Sequence, residues 1–192
     1  FLDKSHYHFL HNEIQFIQTP STIHALRAGF SRMWYTQTAA HPASIPASLS
    51  FVPGQPMGNI AVTAGLSGIG GVTGDSISLM PRLFVTNDYQ FNYGVTHIHS
   101  GHSLRFGASF DQVQFNQRAD RGAKGTYTFS SLTGLLQANP SSGSMMMPGS
   151  DSIRGWRQSL FSAFAQDEIR ITPRFRIELG VRYETYATPS EV

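Results

Sequence analysis

The stretch from Phe161 to Tyr186 constrains the fold most, because its second half alternates without a break. Phe175, Ile177, Leu179, Val181 and Tyr183 fall on one face of an extended chain, and Arg176, Glu178, Gly180, Arg182 and Glu184 on the other. A period of two over this length specifies a β-strand with two unlike faces. The first half alternates less well, with Phe161, Ala163, Ala165, Ile169 and Ile171 in phase. Thr172-Pro173-Arg174 between the halves is long enough only for a hairpin turn. With Ile171 opposite Phe175, every odd residue of both strands shares one face. That face is apolar and the even face is charged, which suits a wall between lipid and a wet lumen.

The same pattern recurs along the chain. In residues 86–98, Tyr89, Phe91, Tyr93 and Val95 alternate with Asp88, Gln90, Asn92, Gly94 and Thr96. In residues 103–117, Leu104, Phe106, Ala108 and Phe110 alternate with Arg105, Ser109 and Asp111. Residues 22–35 hold Leu26, Ala28, Phe30 and Trp34 in phase. Residues 6–18 break phase between Tyr7 and Phe9 on one side and Ile14 and Phe16 on the other, which predicts a bulge. The apolar sets are expected to meet lipid; Gln90, Asn92, Arg105, Ser109, Arg176, Glu178, Arg182 and Glu184 are expected to line the lumen.

Connections alternate in length. Turns near Pro20, Ser100 and Pro173 are tight, whereas about residues 36–83 and 118–155 are long, polar and rich in Gly, Pro and Ser. Tight turns on one side and long loops on the other are the pattern of an outer-membrane barrel, with the turns periplasmic and the loops extracellular. The expected fold is all-β: part of an antiparallel up-and-down transmembrane β-barrel, about six strands in three hairpins. Strands of about 13 residues, at ~3.3 Å each and tilted ~45°, project to ~30 Å, the hydrocarbon thickness. Trp34, Tyr35, Phe84, Phe115, Trp156, Tyr183 and Tyr186 would form the outer aromatic girdle.

Composition narrows the alternatives. Charged residues make up 14% of the chain, well below the roughly 25% of a soluble domain. A net charge of +2 without a Lys/Arg cluster argues against nucleic acid as a partner. Cysteine is absent, so neither disulfides nor thiol chemistry arise. No run approaches the roughly 18 apolar residues of a membrane helix, which leaves membrane barrels open. The chain opens on Phe1 and closes just after a strand, and is expected to be an internal piece of a longer protein.

Candidate chemistry is sparse. His6 and His8 share a face of an extended strand, but His11 does not, and no Asp, Glu or Cys completes a metal set. His97, His99 and His102 flank a turn without a fourth ligand. Gly65–Gly74 lacks the Gly-Lys-Ser/Thr ending and the helix of a phosphate loop. Adjacent Asp167 and Glu168 point to opposite faces and make no carboxylate pair. Asp167 falls on the apolar face, where a bulge or a neighbouring Arg must relieve it. Met145–Met147 lack the His and further thioethers of a copper site, and no nucleophile motif surrounds any Ser. The chain is expected to be no enzyme and to hold no metal or cofactor.

Three stretches together resemble the barrel of TonB-dependent outer-membrane receptors, most closely the Oar-like group: GHSLRFGASF (101–110), RGAKGTYTFSSL (121–132) and FAQDEIRITPRFRIELGVRYE (164–184). IAVTAGLSGIGG (60–71) is similar to the loop segment that precedes the GHSLRFG hairpin in that group. The resemblance covers much of residues 60–186 in the family's order. It implies a large barrel of about 22 strands, closed by a plug and driven by TonB through an N-terminal box. Residues 1–192 would then be a fragment of the barrel domain, roughly a quarter of its strands, without plug or box. The implied function is energised uptake of a solute across the outer membrane of a Gram-negative bacterium. Implied partners are outer-membrane lipid, the TonB complex and a transported ligand whose binding residues the resemblance does not supply. Alternatives are a passive porin, an adhesin-like barrel, or a soluble β-sandwich in which the apolar faces form a core.

Overall fold

The computed structural model describes residues 2–38, 46–55, 57–63, 72–73, 81–119, 122–147 and 149–192. In chain order the elements are β1 (Leu2–Thr19), β2 (Thr22–Thr38), a 3-10 turn (Ala47–Leu49), β3 (Asn59–Val62), β4 (Val72–Thr73), β5 (Arg82–His99) and β6 (His102–Ala119). Then follow β7 (Thr126–Phe129), α1 (Leu132–Leu136), β8 (Ser142–Ser144), β9 (Ile153–Thr172), β10 (Phe175–Tyr186) and β11 (Ser190–Glu191). No helix among the described residues is long and apolar enough to cross a membrane. The period-2 segments form a seven-stranded sheet in the order β1-β2-β5-β6-β9-β10, with β11 paired to β9. Successive long strands are neighbours, as an up-and-down meander requires. The sheet is not closed, so β1 and β10 end the order.

One compact unit comprises residues 6–34, 85–116 and 154–192. Its strands are joined by two-residue turns. Ser100 and Gly101 both take positive φ, 46° and 88°, the backbone needed for a tight hairpin that follows the strand twist. Across β9 and β10, Val181 opposes Ala165, Leu179 opposes Asp167 and Ile177 opposes Ile169, so odd residues do meet odd residues. At the turn, Phe175 pairs with Thr172 and not Ile171, and a bulge before Arg176 restores the expected phase. The strands exceed the expected length: β5 and β6 hold 18 residues each and β9 holds 20.

The second unit comprises residues 1–5, 35–84 and 117–153. It contains a four-stranded sheet in the order β4-β3-β7-β8. Here the two long connections pair with each other. β3 and β7 run parallel, with Asn59 opposite Thr126 and Val62 opposite Phe129. Phe51 meets Tyr127 edge-on at 4.9 Å. Ser131 caps α1, its Oγ accepting from Gly134 N at 3.0 Å. Ala123 and Phe129 are the fully buried apolar residues among those described, at 4% and 7% exposure. The strand-like GTYTFSS of the sequence is β7, while most of Gly65–Gly74 lies outside the described residues.

Lys124 is buried in this unit, at 6% exposure, and burial pulls its ammonium down from 10.5 to about 8. Between those values an unfolded loop binds more protons than a folded one, so stability must rise with pH across pH 8–10.5. Below pH 8 both states are charged and the full penalty applies; above 10.5 neither is. The unit should therefore gain on the order of 1–3 kcal/mol across that window. Lys124→Met should flatten the profile. Hydrogen exchange of β3 and β7 amides against pH, wild type beside variant, measures it, and equal slopes would refute it.

Candidate functional site

The site follows from the two faces of the sheet. On one, β10 and β9 bring Leu179, Val181 and Ala165 beside Leu104 and Phe106 of β6, lining an open groove of ≈ 360 Å³. Alternation adds Ala108 and Phe110 on β6, Tyr89, Phe91, Tyr93 and Val95 on β5, and Phe175, Ile177 and Tyr183 on β10. Phe30 of β2 packs on Tyr89 with ring centroids 5.0 Å apart. Tyr93 shares its hydroxyl with His24 Nδ1 at 2.7 Å. Strand register puts Leu104, Phe106, Ala165, Leu179 and Val181 on one face, and the others follow from alternation. They do not form a buried core: Phe91, Phe106, Phe110, Leu179, Val181 and Tyr183 are all exposed.

The opposite face gathers the polar set. Asn92, Ser109 and Arg182 line one cleft of ≈ 140 Å³ with Arg27 and Ser162. Ser109 and Ser162 hydroxyls meet at 2.7 Å. Arg176 Nη1 donates to Glu168 Oε1 at 2.7 Å, Gln166 Nε2 donates to Glu178 Oε1, and Arg182 Nε donates to Glu184 Oε1. Gln90 Nε2 donates to Asp88 Oδ2 at 2.7 Å. Arg105 follows by alternation and is exposed. Phe164 lies across Gly107, where an added Cβ would stand 2.3 Å from the ring. The glycine is what lets the ring lie flat on this face.

Three features escaped the sequence. First, Asp167 does stand on the apolar face, and its partner is neither a bulge nor an Arg. His102 Nδ1 lies 2.7 Å from Asp167 Oδ2, reaching across from the start of β6. Second, β1 carries no net insertion where the bulge was expected. His6 packs on Trp34 and Phe16 on His24, ten residues further along each strand. Third, the facing of the apolar residues inverts part-way up the sheet. On β6 the apolar phase moves from Leu104–Phe110 to Val113 and Phe115, which join Trp156 in an open cleft of ≈ 410 Å³. The positions they vacate become amides: Gln112 accepts from Ser159 Oγ at 2.7 Å, Gln114 accepts from Asn87 Nδ2 at 3.4 Å, and Asn116 accepts from Arg157 Nη1 at 3.0 Å.

This inversion explains the broken phase of β1, where Tyr7 and Phe9 lie on the face opposite Phe16. It also corrects the aromatic girdle. Trp34 continues the apolar face, but Phe115 and Trp156 stand on the other, and in the loop-bearing unit Tyr35 stacks on Phe84 at 6.0 Å. The signal was present in the sequence as a change of phase after Phe110 and before Phe161.

No group of three or more His, Cys, Asp or Glu suited to an ion occurs among the described residues. His97 accepts or donates at 2.8 Å to Thr22 Oγ1 and stacks on His99 at 6.2 Å. Met145 and Met147 are exposed, and Met146 N donates to Gly122 O at 2.8 Å.

No curated protein and no solved structure matches the chain. A family model described as an outer membrane beta barrel domain matches residues 3–192. With that match spanning the open, two-faced sheet, the chain belongs to the outer membrane beta barrel domain family and is an outer-membrane protein of Gram-negative bacteria.

Proposed function

We propose that this chain is wall and outer loops of a TonB-dependent receptor of the Oar-like group, which takes up a solute with energy supplied through TonB. The apolar face carrying Phe91, Phe106, Phe110, Leu179 and Val181 meets lipid. The face carrying Asn92, Arg105, Ser109, Arg176 and Arg182 lines the lumen. The observation that carries the reading is the pairing of β3 with β7, which ties two long connections into one built structure. A structured loop assembly serves ligand capture, and the open sheet order leaves room for the many further strands of a large barrel. The wall does no covalent chemistry; substrate and TonB are partners of the whole protein.

A passive porin is the competing reading, and the two differ electrically. The full-length protein inserted in a planar bilayer should conduct no measurable steady current, because a plug fills the lumen. A stable open-pore conductance on insertion would replace the receptor by the porin.

Sidedness follows from the same reading. Ser142 of β8 and Ser100 of the β5–β6 turn are both exposed. With no native cysteine in this stretch, Ser142→Cys in the full-length protein should react with an impermeant maleimide on intact cells. Ser100→Cys should react only after lysis, since tight turns are periplasmic. Equal labelling of both in intact cells would defeat the topology.

A further inference from the structure

We infer that the sheet carries a docking surface for the phosphorylated headgroups of the outer leaflet, just above the apolar band on the same face. The inference rests on the proposed orientation of that face toward lipid. On β6 the band runs from His102 to Asp111. About ten residues at ~3.3 Å, tilted ~45°, rise ~23 Å, close to the ~25 Å apolar height of a membrane barrel. The strands then continue through Ala119, so their upper parts stand at headgroup level and beyond.

What replaces the apolar residues at that level is cationic and amide-rich. Arg32 follows Phe30 on β2 and is exposed. Arg157 of β9 is held by Asn116 Oδ1 at 3.0 Å and by the Trp156 carbonyl at 2.8 Å. His6, against Trp34, brings His8 onto the same face of β1. Gln112 and Gln114 lie between the two arginines. The described carboxylates at this height lie on the opposite face: Asp88 and Asp111 alternate there with Gln90 and Ser109, and Glu191 pairs with Trp156. A face with positive charge, amide donors and, among the described residues, no carboxylate complements a phosphate carried on a sugar, and it abuts the lipid band directly. Guanidinium groups match phosphate geometry, and amides match sugar hydroxyls.

The test uses the full-length protein in detergent, titrated with lipid A or with phosphatidylcholine, with bound lipid counted by native mass spectrometry. Wild type should prefer lipid A. Each basic residue at an anionic surface contributes about a five-fold preference. The double variant Arg32→Gln/Arg157→Gln should therefore bind lipid A roughly 10- to 30-fold more weakly. Arg105→Gln/Arg176→Gln, on the other face, should bind it as wild type does. Retained heat-modifiable migration checks that each variant is folded, and Arg32→Lys should restore most of the binding to the Arg32→Gln single variant. Unchanged binding in both double variants overturns the headgroup surface while leaving the orientation standing. Loss in the Arg105/Arg176 variant alone means the faces are reversed, and the proposed orientation fails with it.

Discussion

Val181→Arg in the full-length protein should cost roughly 2–4 kcal/mol in lipid vesicles, the cost of a cation at mid-depth on the face proposed to meet lipid. Val181 opposes Ala165 and shares its groove with Phe106, which lies midway along the Leu104–Phe110 stretch. It is 70% exposed, so the open sheet buries it little and the penalty comes from the bilayer. Leu179→Arg, one step along the same face, should cost less, because Leu179 stands directly opposite Asp167 and the new guanidinium would find a carboxylate there. Arg182→Leu should cost below about 1 kcal/mol, since on the proposed orientation a wet lumen screens the Arg182 and Glu184 charges. Urea titration of the three variants ranks them. A ranking with Arg182→Leu above Val181→Arg would assign the faces the other way round.

Gly58→Ala should dismantle the small loop sheet while sparing the barrel wall. Gly58 is buried, and a Cβ there would lie 2.3 Å from both the Lys124 and Gly125 carbonyl oxygens and 2.6 Å from Phe51. Two of these three obstacles are backbone, so no rotamer change relieves the clash. Over-packing commonly costs about 1–3 kcal/mol; with backbone on two sides the upper end, about 3 kcal/mol, is expected. Its first victims are the bonds from Asn59 N to Gly125 O and from Thr63 N to Phe129 O, both 2.9 Å. Faster exchange at these amides, with unchanged heat-modifiable migration, is the expected result. Unaltered protection at Asn59 and Thr63 would show that the loop sheet does not depend on this contact.

Alternation along one strand is a local property, so residues 175–184 determined a two-faced strand, and residues 161–186 together pointed to its turn and its odd-with-odd register against β9. The tight and long connections pointed to the meander and to an outer-membrane barrel, and the family match over residues 3–192 agrees. Three matters were decided only by tertiary structure. β3 and β7 lie far apart in sequence, with the whole β5–β6 hairpin between them, and no periodicity in four residues announces a partner that distant. His102 relieves Asp167 because the β6–β9 register sets them 2.7 Å apart, and that register links strands separated by a long loop. The inversion of facing was written in β1, β6 and β9 as a phase change, but one strand's phase change reads equally as a bulge. Only when β1, β6 and β9 are compared does it read as one change of facing, while Trp34 of β2 keeps the apolar face. A strand's sequence fixes which residues share its faces, and only the neighbouring strands decide what each face meets.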